Sequence, residues 1–356
     1  MNRVLVAGVA AIAWIGLFPG PLVAYSTLTR APATPSQQAR TEHLEIEYPE
    51  GEEQGLRGFL EYAEDVYAYV DSLMKGALRP SVKVTLIGTG LSGSSPDGIV
   101  LSLDQGRYLE PVFARELARL GGREMVGEVF DAEGYRFFVE GLATWVGERF
   151  ERRLGSIEPR WLWAAYAFME ESTYLEYLEV YSRASEDLGK NVVNAVGYSL
   201  VVYLNERYGW EGVMSVLATM PDNIEICSAL DASGFDCLGT WEGWQLALES
   251  EAAKHDFTQL PEVFADLEVS SEGDTRDVGL RVFIRNPETT SYLFFVAYVV
   301  GDEPAEESYP ADGHDFEALV PLGRLPVGTK VLWEVAVWSR TVQTWRKSGW
   351  QDRTIR

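Results

Sequence analysis

The chain has 356 residues, 46% apolar and 12% aromatic, which allows two domains with a core each and excludes a disordered chain. Its formal net charge is −24, and this argues against a nucleic-acid partner, because a phosphate backbone needs stripes of Lys and Arg. With three His and two Cys, a site built on imidazole or thiolate has few residues to draw on.

Arg3 precedes an apolar run over residues 4–18, closed by Pro19-Gly20-Pro21 and followed by small residues at Ala24 and Ser26. That order matches the n-, h- and c-regions of a secretory signal, and the run is shorter than the ~20 residues of a spanning helix. Residues 1–26 are therefore expected to direct export, cleaved or kept as an anchor, and to place the protein outside the cytoplasm. Residues 27–41, rich in Thr, Pro, Ala, Ser and Gln, read as a flexible linker. A strand is expected over 43–48. A helix is expected over 56–74, where Leu56, Leu60, Ala63, Tyr67, Val70 and Met74 recur at helical spacing. Two strands follow, over 82–87 and 98–103. The Gly/Ser loop between them has no Lys and no following helix, so it is not a phosphate loop.

The stretch Phe113-Ala-Arg-Glu-Leu-Ala-Arg-Leu120 would be a His-Glu-Xaa-Xaa-His metalloprotease helix if His stood at positions 115 and 119. Further on comes Phe138-Val-Glu-Gly-Leu-Ala-Thr-Trp145. Together the two blocks resemble gluzincin peptidases of the peptidase MA-like group, in which a Glu-Gly-Leu/Phe-Ala segment supplies the third zinc ligand. Tyr198-Ser-Leu-Val-Val-Tyr-Leu-Asn-Glu-Arg-Tyr-Gly209 is similar to an aromatic helix of that group ending in Arg-Tyr-Gly. Residues 241–248 fit its closing Trp-bearing helix. Asn194 stands where such members often carry a Tyr near the active site. The resemblance covers residues 42–256. It implies an α+β, gluzincin-like metalloprotease fold, with a small N-terminal sheet and a helical remainder.

The chemistry departs from the group. Both motif imidazoles are guanidiniums here, which stay protonated and offer a metal no lone pair. His43, His255 and His314 form no pair at helical spacing, and Cys227 and Cys237 lie far from Glu140. A catalytic zinc takes three protein ligands and an open position. Glu116 and Glu140 supply two carboxylates, beside two cations. No catalytic residue, metal or cofactor is therefore expected, and the ancestral zinc is expected to be lost. Arg115, Glu116, Arg119, Glu140 and Asn194 mark the former site. Positions 115 and 119 share a helix face, and in the resembled fold that face points at Glu140. The two arginines are thus expected to replace the metal's charge and clamp Glu116 and Glu140. Two alternatives stand beside this: an anion pocket in which one Arg grips a carboxylate of a peptide or sugar acid, and a plain amphipathic surface helix.

Cys227 and Cys237, in an exported chain, read as one disulfide, the alternative being two buried thiols. His43 is expected to be a hydrogen-bonded structural residue, and His255 a cation at a helix end. His314 is expected in an acidic loop over 302–315, whose Asp302, Asp312 and Asp315 lack EF-hand spacing and read as solvated. From Phe257 the pattern alternates, with Val278, Leu280, Val282 and Ile284 on one face. Leu325-Pro-Val-Gly-Thr-Lys-Val-Leu-Trp-Glu-Val-Ala-Val337 resembles a turn and strand of fibronectin type III domains, with Val331 in place of their Tyr. A linker over 257–266 and an all-β sandwich over 267–356 are expected, with Trp333, Trp338, Trp345 and Trp350 as core and edge residues, the alternative being a carbohydrate platform. The whole reads as an exported, inactive pseudopeptidase acting as a binding or scaffold protein at the cell surface, its partner a protein, a peptide or a cell-surface polymer, touching a membrane through its N-terminal segment alone. The alternatives are a zinc metallopeptidase with atypical ligands and a structural subunit of an envelope assembly.

Overall fold

A computed structural model of the chain describes residues 36–155, 158–170, 182, 184–185, 189–223, 225–270, 275–301 and 303–356. The signal-like segment, most of the linker after it, and Asp302 lie outside the described residues. The fold is α+β, with an N-terminal sheet, a helical core and two C-terminal sheets.

The first sheet has the order β1-β2-β3-β5-β4, from β1 (Ser36–Arg40), β2 (Leu44–Pro49), β3 (Val82–Ile87), β4 (Gly93–Ser95) and β5 (Gly98–Ser102). Alternation decides which face is inward: Leu44 and Ile46 pair with Val82 and Val84 in parallel register, and all four are buried. β1 corrects the expectation of a linker reaching residue 41. Its polar residues are tolerated because it is an edge strand held by antiparallel pairing with β2, and Tyr48 Oη donates to Gln37 at 2.8 Å.

The helix expected over 56–74 is two helices, α1 (Glu53–Leu60) and α2 (Ala63–Leu73). The break comes where Tyr62 N–H turns to Phe59 O at 3.3 Å rather than continuing the i→i−4 ladder. Tyr62 (φ −129°) leaves the helical region there while the apolar spacing runs on, so periodicity alone hides the break.

The helical core is built on α3 (Leu109–Val126) and α4 (Glu133–Arg153). Arg153 meets Glu110 at one end of the pair and Arg119 meets Glu140 toward the other, so the two helices run antiparallel. After α5 (Arg160–Glu170) comes the long α6 (Lys190–Thr219), interrupted at Gly209 by a φ of 72°. α7 (Ile226–Ala232) and α8 (Cys237–Ala252) close the core. A Cβ on Gly197 would lie 1.8 Å from Phe137 O, and one on Gly141 would lie 2.0 Å from the Gly197 carbonyl carbon. The backbones of α4 and α6 therefore touch at this crossing, which brings the first turn of α6 beside the charged face of α4. Cys227 and Cys237 are disulfide-bonded, tying α7 to α8.

Beyond Ala252 every described regular element except one short turn of 3₁₀ helix is a strand. β6 (Glu262–Val269) starts inside the segment expected to be a linker, because Val263, Ala265 and Leu267 already alternate into the core. β6, β7 (Thr275–Arg285) and β10 (Asp315–Pro326) form one sheet in the order β10-β7-β6. The other sheet runs β12-β11-β8-β9, with β13 also on β11. It comprises β8 (Ser291–Val300), β9 (Glu303–Asp312), β11 (Lys330–Ser339), β12 (Thr344–Lys347) and β13 (Gln351–Thr354). Leu280, Val282 and Ile284 of one sheet share an apolar core with Phe294, Val296, Trp333 and Val335 of the other. The acidic segment expected as a loop over 302–315 is strand β9, a tight turn and the start of β10. Its acidic side chains sit mostly on exposed positions of an edge strand. The β region meets the helical core at α5: Trp163 Nε1 donates to Thr341 O at 3.1 Å, and Arg346 bonds Tyr166 Oη and Pro261 O.

Candidate functional site

α3 and α4 present facing rows of opposite charge. On α3, Arg115 and Arg119 are one turn apart. On α4, Glu140, Thr144, Glu148 and Glu151 recur at intervals of four, four and three, making one stripe. Arg119 donates Nη1 to Glu116 and Nη2 to Glu140 Oε2, the latter at 2.5 Å. Glu116 is 4% exposed, so this ion triad lies inside the fold. Burial alone would lower the Arg119 pKa, but Glu116 and Glu140 outweigh it and hold the guanidinium above its ordinary value.

Arg115 does something else. Its aliphatic stem lies over Gly147, where a Cβ would fall 2.5 Å from Arg115 Cγ, and its Nη2 reaches Glu151 rather than Glu116 or Glu140. Glu151 is shared: Oε1 accepts from Arg115, and Oε2 accepts from Arg160 Nη2 at 2.6 Å. Arg160 also bonds Glu158 at 2.6 Å. Burial lowers the Arg115 pKa, with Arg160 adding to the effect and Glu151 opposing it. The expected two-arginine clamp on Glu116 and Glu140 is thus carried by Arg119 alone. Sequence reasoning missed Glu151 and Arg160, although the carboxylate stripe on α4 pointed to Glu151.

Asn194 lies on the first turns of α6 and, with Arg115, lines a hollow whose other walls include Thr144, Glu158, Arg160 and Trp163. The structure therefore brings Asn194 to Arg115. One turn further on, Tyr198 donates its hydroxyl to Glu148 at 2.6 Å. Burial first and this hydrogen bond second keep its phenol protonated far above the ordinary range. Lys190, at the start of the same helix, has its pKa lowered by burial and by Arg136 and Arg119, with Glu140 opposing.

The zinc that the resemblance implies does not fit these residues. The Arg119 guanidinium bonds both carboxylates that would have to ligate the ion, and positions 115 and 119 supply no lone pair. Among the described residues no group of three or more His, Cys, Asp and Glu is arranged to hold a metal. The histidines are engaged elsewhere. His43 Nδ1 lies 2.7 Å from Glu64, and its ring stacks on Tyr67. His255 Nε2 lies 3.0 Å from Glu251, and His314 Nδ1 lies 2.8 Å from Asn286 O. No helix among the described residues is long and apolar enough to cross a membrane.

No protein-family profile matches the chain, and no curated protein matches it. Among solved structures it is similar to a metallopeptidase from Bacteroides thetaiotaomicron, with 11% identity and a TM-score of 0.39, covering 85% of this chain and 64% of that one. A metallopeptidase in complex with Tn antigen matches with 10% identity and a TM-score of 0.39, covering 88% of this chain and 71% of the other. The chain thus spans just under two thirds of the first of these.

Proposed function

We propose that the chain is an exported, catalytically silent relative of the gluzincin peptidases that binds a protein or peptide partner through the old cleft. The observation that supports this reading is the Arg119 bridge from Glu116 to Glu140, a fixed cation that would stand where the resemblance implies a metal. Residues 1–26 would direct export, and the disulfide suits an oxidising compartment. Residues 42–256 would form the peptidase-like domain. Residues 267–356 would form a fibronectin type III-like sandwich, a reading supported by the two sheets in the orders β10-β7-β6 and β12-β11-β8-β9.

The test is metal analysis and a proteolysis assay on the purified chain. Far less than one zinc per chain and no chelator-sensitive cleavage are expected. Stoichiometric zinc together with chelator-sensitive cleavage would overturn the reading.

A further inference from the structure

Two guanidiniums that line the hollow between α3, α4, α5 and α6 each keep a buried donor that no protein atom accepts. Arg160 is 3% exposed, and its Nη2 is engaged by Glu151 and Glu158, yet its Nη1 is buried without a partner. Arg115, from the opposite wall, likewise has a buried Nε without a partner. A guanidinium carries five N–H donors in a planar fork, and Glu151 anchors both forks at once.

The first turn of α6 enters the same hollow through Asn191 and Asn194. Its N-cap is Gly189, which has no side chain to cap that turn, and the Val192 and Val193 N–H groups donate to Gly189 O at 3.1 Å. The helix end adds roughly half a positive charge. Arg115 and Arg160 are already matched in charge by Glu151 and Glu158, so the surplus is that half charge and suits at most one negative charge. The Glu158 carboxylate, half exposed on the same hollow, disfavours a second. Trp163 closes one side, and the exposed Asn191 carboxamide at the rim suits an amide group of a peptide.

We propose that this hollow binds a carboxylate of a peptide, from its C-terminus or from an acidic side chain, gripped by Arg160 and Arg115. The proposal rests on the reading of the chain as a peptide- or protein-binding molecule and names the group bound.

The test uses the full chain and three pools of tripeptides followed by ligand-observed NMR. One pool has free C-termini and neutral side chains, one is amidated and contains Glu, and one is amidated and neutral. Binding by the first or second pool and silence from the third is expected, and identifies the source of the carboxylate. Acetate should compete, and inorganic phosphate should compete less well. Asn191 is exposed, so Asn191→Asp places a negative charge at the rim where a helix N-terminus tolerates it. This variant should keep its unfolding midpoint and lose at least about tenfold in affinity, or ~1.4 kcal/mol. Equal binding by all three pools overturns the proposal and leaves peptide binding standing. Silence from every pool removes both, and binding of glucuronate without any peptide overturns the peptide assignment.

Discussion

Arg119 sits between two carboxylates that are more buried than it is, with side-chain exposures of 19% for Arg119, 5% for Glu116 and 14% for Glu140. Removing it strands both, so Arg119→Ala should cost about 3–5 kcal/mol. Arg281→Ala, which breaks exposed pairs with Glu268 and Glu317, should cost far less. Urea unfolding of both variants checks the contrast, and equal small losses would show that the triad is solvated. A second residue-scale expectation concerns pH. Glu64 accepts from Thr41 Oγ1, from the His43 backbone N–H and from the His43 ring. Burial raises its pKa, but these hydrogen bonds outweigh burial and bring it below 4.5. A carboxylate held low in the fold contributes stability that is present above its unfolded value and lost as pH falls through its folded one. Wild type and Glu64→Gln should therefore differ in urea midpoint above the ordinary carboxylate range and converge as pH falls below it. A gap that stays constant would reject the assignment. At this scale the residue types at 115, 119 and 140 were legible because the motif frame fixes which side chains face one another. The partner of Arg115 was not, since which carboxylate a long flexible cation reaches depends on the space left over Gly147.

Helix α3 was legible from its motif frame and helical structure over 56–74 from apolar spacing, whereas α4 shows no single apolar stripe and the boundary between α1 and α2 was hidden. The crossing of α4 and α6 was hidden for a different reason: Gly141 and Gly197 are 56 positions apart, and a glycine in a helix does not announce its neighbour. The contact makes a prediction. Gly141→Ala must push the helices apart and should cost roughly 1–3 kcal/mol or more, whereas Gly58 on α1 has open space around it, and Gly58→Ala should raise stability by up to ~1 kcal/mol. Unfolding midpoints moving in opposite directions would bear this out. A neutral Gly141→Ala would show that the crossing yields easily.

Over the whole molecule, the change from helical to alternating pattern after Phe257 told where strands would dominate. The order of strands within each sheet was not legible, because alternation says which face a residue takes and not which strand lies beside it. The seam at Trp163, Tyr166 and Arg346 was invisible for the same reason. The disulfide was legible from two cysteines in a chain with a signal-like start. It closes a short loop, so reducing it should lower stability by about 2–3 kcal/mol. Thiol labelling of the unfolded, unreduced protein should find no free thiol, and two labelled cysteines would reject the bridge.

The sharing of Glu151 by two guanidiniums, set beside the Arg119 triad, bears on the routes by which this sequence can change. Arg115→His takes one of its two cations from a nearly buried carboxylate. Arg119→His leaves Glu116 and Glu140 without the charge that holds them together. Either single step pays in folding stability before three zinc ligands exist to repay it. Pressure to stay folded therefore disfavours either single change, and zinc ligation at positions 115 and 119 would require both changes together.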